Sequence, residues 1–224
     1  MDKIDKLFYI NLFRRPDRNE HFLLECAKAN IPPNKIERYE AVDGKKLENE
    51  IPALFRNADY INEPFVKNII GNQLSHYNIL QEMVKRDYNH IIICQDDVIF
   101  KNGFLDYLEK VVSSIPENAE IVNIGFHKCA IYAYFEPWDL NDVSLLGVPL
   151  NDNICNLHAT VNPCSLAYIV TRQGAINLLE YFNKTGFLRA TDHNYNDYLL
   201  SKNIFYGSIP VICTGNPALG SDIF

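Results

Sequence analysis

The chain is 224 residues long, 47% hydrophobic and 12% aromatic, with a formal net charge of −7. An acidic balance of this size speaks against nucleic acid or an anionic membrane surface as the main partner, while leaving room for a local basic pocket. The composition is that of an ordered globular protein, and the length fits one domain over residues 1–224.

Cys26, Cys94, Cys129, Cys155, Cys164 and Cys213 form no C-x-x-C pair, which weakens zinc-site and thioredoxin readings. No integral membrane segment is expected, and Met1 to Lys6 carries no apolar signal region. A reducing, cytoplasmic setting is the expectation, which makes the sequon Asn183-Lys184-Thr185 a chance match.

In chain order, Leu7 to Leu12 reads as the first strand, followed by a turn through Arg14, Arg15 and Pro16. Pro16 suits a first helical turn, and Phe22, Leu23, Cys26 and Ala27 supply an apolar stripe. Ile36 to Val42 is strand-like and ends in the turn dipeptide Asp43-Gly44. Residues 48–68 look irregular or briefly helical, and a clearer helix spans about Gly71 to Arg86 on Leu74, Tyr77, Leu80 and Val84.

Ile91 to Phe100 is the most informative stretch. Its short apolar run predicts a strand buried on both faces, ending in the adjacent carboxylates Asp96 and Asp97. Two buried charges side by side need a metal, a cation or hydrogen-bond donors. In open α/β sheets ligands bind beyond the carboxyl ends of the strands, and hard oxygen ligands suit Mg²⁺ or Mn²⁺ shared with substrate phosphates. The competing reading is a turn whose aspartates hydrogen-bond backbone amides.

A helix through Phe104, Leu105, Leu108, Val111 and Val112 and a strand over Glu120 to Gly125 follow. From about Glu136 to Asn162 the chain shows no period and reads as a lid or binding loop. Leu166 to Val170 is another strand, with Thr171 capping a helix to about Phe182. Tyr195, Tyr198 and Leu199 suggest one more helix, and Ile204 to Cys213 one or two strands. Alternation of this kind predicts an α/β domain with a largely parallel sheet.

Several segments, in order, resemble the motifs of glycosyltransferase family 25, which includes lipopolysaccharide and collagen hydroxylysine galactosyltransferases. They are Phe8-Tyr9-Ile10-Asn11-Leu12 with Arg15, Asp17 and Arg18; Tyr39 to Gly44; Gly71 to Tyr77; Gln95-Asp96-Asp97-Val98; Tyr168 to Ala175; Thr191-Asp192; and Ser221-Asp222-Ile223. The resemblance covers nearly the whole chain. It implies a GT-A type nucleotide-sugar-binding fold with helices flanking the sheet, a donor that is most often UDP-galactose, Mn²⁺ (or Mg²⁺), and transfer with inversion. Gln95 stands where the family has an acidic residue, and no added acceptor-binding domain is expected.

On this reading Asp97 ligates the metal and Asp96 contacts the ribose or donor sugar, the metal stabilising the diphosphate as leaving group. Gln95 either hydrogen-bonds the sugar or covers the strand end. Asn11, Arg15 and Arg18 lie where a nucleotide would enter, an arginine fork gripping phosphate or stacking on a base; surface arginines near a helix start are also common. Asp43 with Gly44 either accepts from base or ribose or is an ordinary turn.

Ser75 and His76 are expected as pocket wall, the lone helical histidine being more often a packed residue than a ligand. Inversion needs a base for the acceptor hydroxyl. Asp192 is the candidate by family order, with Asp197 and Asp222 as rivals; Asp222 alternatively completes the metal shell, and Asp192 alternatively caps a helix. Tyr132, Tyr134, Phe135 and Trp138 suggest an acceptor platform or plain core packing.

The expected function is transfer of galactose or glucose from a UDP-sugar to a hydroxyl on a glycan or a hydroxylysine-type protein side chain. A setting without an anchor suits a bacterial or viral pathway. A catalytically silent UDP- or glycan-binding module is the alternative that Gln95 keeps open. A metal-dependent nucleotidyltransferase or phosphohydrolase is a third reading, disfavoured by the ordered motifs.

Overall fold

The computed structural model describes residues 1–48, 50–127 and 146–223. Their strands form one mixed sheet, flanked by helices: β1 (Lys6–Asn11), β2 (Ile36–Glu40), β3 (His90–Gln95), β4 (Val98–Phe100), β5 (Ile121–Phe126), β6 (Gly147–Pro149), β7 (Ile154–Leu157), β8 (Ala167–Thr171), β9 (Tyr206–Ser208) and β10 (Cys213–Gly215). The main path runs β2-β1-β3-β8-β5-β9-β7-β6, with β10 joining β5 to β4.

β3 lies between β1 and β8, which accounts for its uninterrupted apolar run: Ile91 to Cys94 are fully buried. The expectation of a largely parallel sheet is corrected here. β1 pairs in parallel with β2 and β3, but β8 runs antiparallel to both β3 and β5. A parallel partner in that place would need a crossover. The chain instead enters β8 after the β6–β7 hairpin and the 158–166 loop.

The pairings make β1, β2, β3, β5, β9 and β10 point one way. Their carboxyl ends therefore share one edge of the sheet, and this alignment places the site.

Five α-helices are described: α1 (Pro16–Lys28), α2 (Val66–Lys85), α3 (Phe104–Ser113), α4 (Arg172–Thr185) and α5 (Thr191–Ser201). Pro16 opens α1, and the Thr171 hydroxyl caps α4 by accepting from the Gly174 amide, both as expected. α2 begins at Val66, ahead of the expected Gly71. Gly71 marks a crossing rather than a boundary: a Cβ there would run into the Val42 carbonyl oxygen and lie 2.9 Å from the Gly44 nitrogen. Bare backbone on both sides lets the turn after β2 sit directly on α2.

α2 packs against α4 and α5, with Tyr77 edge-on to Phe187 at 6.0 Å and His76 edge-on to Tyr195 at 6.3 Å. Phe182 stacks on Phe187 at 4.4 Å, and Phe187 on Phe55 at 5.0 Å. The buried thiols of Cys26, Cys94, Cys155 and Cys213 are free and pack as small hydrophobes.

Candidate active site

A cavity of about 300 Å³ opens at the edge where the aligned strands end, a volume at the small end of ligand sites. All of these strands except β9 contribute residues at or just past their ends: Leu12 and Arg14 after β1, Ala41 to Gly44 after β2, Gln95 to Asp97 at β3, His127 after β5 and Asn216 after β10. α2 supplies Asn68, Asn72 and Ser75, α1 supplies Arg18, and residues 220–223 close the remaining side.

Asp96 and Asp97 form the turn between β3 and β4 and are buried, 4% and 6% exposed. One guanidinium holds both. Arg18 Nη1 donates to Asp96 Oδ1 at 2.7 Å, and Nη2 donates to Asp97 Oδ2 at 3.1 Å and to the Gly220 carbonyl at 2.7 Å. Asn11 Nδ2 donates to the other Asp96 oxygen at 2.7 Å, while Asn11 Oδ1 accepts from Arg38 at 3.0 Å. The Asp97 carbonyl accepts from the Asn216 amide at 2.7 Å, fixing the turn.

Two consequences follow. Burial pushes the Asp96 carboxyl up to about 6, against the pull of Arg18 and the Asn11 hydrogen bond, with Asp97 adding its repulsion. Asp97 Oδ1 is buried with no partner among the described residues. A buried carboxylate oxygen left unsatisfied is costly, and this one belongs to a residue that lines the cavity.

Arg15, which does not line the cavity, anchors its wall. It pairs with Asp17 at 2.7 Å, with Asp222, and through Nη2 with the Leu219 carbonyl at 3.1 Å. Arg14 reaches Asp222 at 2.6 Å and Asp43 at 3.3 Å. Burial opposes ionisation of Asp222, but the hydrogen bond from Arg14 and the charges of both arginines hold its carboxyl below the usual range. Asp43 also accepts from the Lys45 amide at 3.1 Å. Gly44 has no room for a side chain beside the Lys67 carbonyl.

Ser75 and His76 part company. The Ser75 hydroxyl donates to the Gly71 carbonyl at 2.7 Å and accepts from the Val42 amide at 2.9 Å, so it ties the cavity wall to α2. His76 faces the opposite way, fully buried and absent from the lining; its Nδ1 lies 2.8 Å from the Tyr168 hydroxyl. Burial alone pushes its imidazole down to about 3.

Asp192 is in the first turn of α5, where the N-cap is Ala190. It accepts from Asn162 at 2.8 Å and does not line the cavity, although neighbouring Thr191 donates to cavity-lining Asn72 at 2.7 Å. Asp197 is paired with Arg189 at 3.0 Å. Gln95 lines the cavity and donates to the Cys164 carbonyl at 3.3 Å. Tyr132, Tyr134, Phe135 and Trp138 lie outside the described residues. Among the described residues no three His, Cys, Asp or Glu side chains gather into a metal-binding group.

Arg14, Asn68, Asn72, His127 and Asn216 are cavity residues that the sequence reading did not single out. Position after a buried strand was the available signal for His127.

A model of glycosyltransferase family 25, described as an LPS biosynthesis protein family, matches residues 4–195. The chain belongs to glycosyltransferase family 25. It is 29% identical over 187 residues to procollagen galactosyltransferase 2 of Homo sapiens, covering 78% of this chain and 27% of that protein. Identity to a putative glycosyltransferase of Acanthamoeba polyphaga mimivirus is 31% over 121 residues, 54% of this chain and 37% of the viral protein. Inactive glycosyltransferase 25 family member 3 of Homo sapiens is 31% identical over 121 residues, 50% of this chain and 19% of that protein. The chain thus spans little more than a quarter of procollagen galactosyltransferase 2.

No described helix is long and apolar enough to cross a membrane. The cavity is lined by Arg14 and Arg18, which can meet negative charge, and by Asp97, one of whose carboxylate oxygens has no partner among the described residues.

Proposed function

We propose that the chain is a GT-A type hexosyltransferase that uses a UDP-sugar and a divalent cation. It moves galactose or glucose, with inversion, to a hydroxyl of a glycan or a hydroxylysine-type protein side chain. The unsatisfied Asp97 Oδ1 is the observation that carries this reading. A hard cation such as Mn²⁺ or Mg²⁺ is commonly held by one or two carboxylates together with substrate phosphates, which suits a site whose described residues gather no three ligands. When bound, it would neutralise the diphosphate and make it a better leaving group.

The chain's own residues do the rest. Asn11, locked by Arg38, and Arg18 orient Asp96 from both sides, and on this reading Asp96 contacts the ribose or donor sugar. Arg14 and Arg18 bring positive charge to the cavity for the diphosphate. Asp43 and Gly44 frame the opposite wall for the nucleoside. Asp222 is held by two arginines and would have to leave them to complete a metal shell.

A catalytically silent binder of UDP or glycan is the second reading. Two features favour it: Arg18 neutralises both aspartates, and Gln95 replaces an acidic residue. The deciding experiment is calorimetry of UDP binding with and without Mn²⁺, beside UDP release from UDP-galactose and UDP-glucose, for wild type and Asp97→Asn. The transferase reading expects cation-dependent UDP binding, release from one donor, and loss of both by tenfold or more in the variant, about 1.4 kcal/mol. Binding without release supports the silent module. Absence of UDP binding sinks both.

A further inference from the structure

We propose that His127 is the general base that takes the proton from the acceptor hydroxyl; the assignment rests on the nucleotide-sugar reading above. A base needs a free lone pair facing the reacting atoms and a proton affinity suited to neutral pH. The carboxylates that line the cavity are Asp43, Asp96, Asp97 and Asp222. Asp43 accepts from Lys45 and Arg14, Asp96 from Arg18 and Asn11, and Asp222 from Arg14 and Arg15, so both oxygens of each are taken. Asp97 keeps one free oxygen, which is the one oxygen placed to meet a cation. A carboxylate whose two oxygens both already accept hydrogen bonds has no lone pair turned toward an acceptor hydroxyl.

His127 is the remaining side chain of the described cavity wall that carries a lone pair on a ring nitrogen in its neutral form. Among the described residues no donor or acceptor occupies its ring nitrogens. Its position is built rather than incidental. β5 delivers it to the shared edge, and the ring lies on Gly215, where a Cβ would come within 2.5 Å of His127 Nε2. Only a residue without a side chain leaves that space. Gly215 precedes Asn216, whose amide binds the Asp97 carbonyl, so the imidazole and the aspartate turn share one support. The imidazole does not gather with Asp96 and Asp97 into a three-ligand group.

In the step itself, the acceptor oxygen forms a bond to the anomeric carbon as the bond from that carbon to the diphosphate oxygen breaks. UDP leaves with the electron pair, the hydroxyl proton passes to a His127 nitrogen, and the imidazolium later returns it to solvent. Asp192, the base expected from motif order, is bonded to Asn162 outside the lining.

The test is UDP release from UDP-galactose with Mn²⁺, water serving as acceptor, read beside calorimetric UDP affinity. His127→Gln is expected to lower kcat about 10²- to 10⁴-fold, the usual share of a general base, with UDP affinity and KM unchanged. Gly215→Ala, which displaces the ring without removing it, is expected to lower kcat in the same direction. A His127→Gln variant that keeps wild-type kcat overturns the assignment, as does one that loses UDP affinity in place of turnover. A collapse of kcat in Asp192→Asn with His127→Gln unaffected moves the base to Asp192. Wild-type protein that neither binds UDP nor releases it overturns the nucleotide-sugar reading instead.

Discussion

Replacing Arg18 by methionine keeps the apolar stem and removes the guanidinium that holds two buried carboxylates together. Burial has already raised Asp96 from 3.8 to about 6, so at pH 7 its ionised form costs the fold about 3 kcal/mol, at about 1.4 kcal/mol per unit. Without Arg18 the carboxyl takes up a proton instead, which caps that cost at about 4.4 kcal/mol at pH 7. The increment from Asp96 is therefore about 1.4 kcal/mol. Asp97 and the Gly220 carbonyl each lose a donor, adding about 1–3 kcal/mol.

The expected loss is about 3 kcal/mol at pH 7, or a Tm lower by roughly 6–12 °C for a domain of this size. A carboxyl raised in the folded state contributes stability below its unfolded value that is lost as pH rises from about 3.8 through about 6. At pH 5 Asp96 is largely protonated even in the wild type, so the variant's deficit should shrink by about 1 kcal/mol. Thermal unfolding followed by circular dichroism at both pH values measures this. An equal deficit at pH 5 and 7, or a variant more stable than wild type at pH 7, refutes the reasoning.

Three other outcomes are expected. His76 is held neutral in the fold, so stability should fall as pH drops below about 6.5, by about 2 kcal/mol between pH 7 and 5. His76→Gln should flatten that slope in urea midpoints taken across the range. Gly71→Ala would usually strengthen a helix by up to about 1 kcal/mol. Here the new methyl meets the Val42 carbonyl and the Gly44 nitrogen, and a loss of about 1–3 kcal/mol is expected by thermal melt. Mn²⁺ should raise the Tm of wild type and leave Asp97→Asn unmoved, because the open carboxylate oxygen is gone.

Local signals carried much of the fold. Ile91 to Cys94 announced a doubly covered strand, Pro16 and Thr171 marked helix starts, and Asp96 with Asp97 marked the strand end that became the cavity floor. The direction of β8 was not legible, because the same apolar run serves a parallel or an antiparallel neighbour equally well. Gly71 misled in the other direction: glycine reads as a boundary, while its use here is to let another backbone approach. Arg18 and Asp222 were singled out as site residues, but their partners lie far along the chain, and no local pattern encodes such pairings. His127 follows a strand whose end was read one residue early, and a single histidine has no motif to announce it.

One wall of the cavity is made by residues 216–223, held by Arg14, Arg15, Arg18 and Asn68. Arg15 and Asp222 are 207 residues apart. At ordinary translation speeds, the arginine turn waits about 10–40 s for its partner to be made. The sheet can assemble in that interval, since β1, β3 and β8 all precede residue 172. The last wall of the cavity is then a late addition to a partly assembled sheet. By the same logic, peeling away this short segment would open the cavity while leaving the β1–β3–β8 ladder protected against hydrogen exchange.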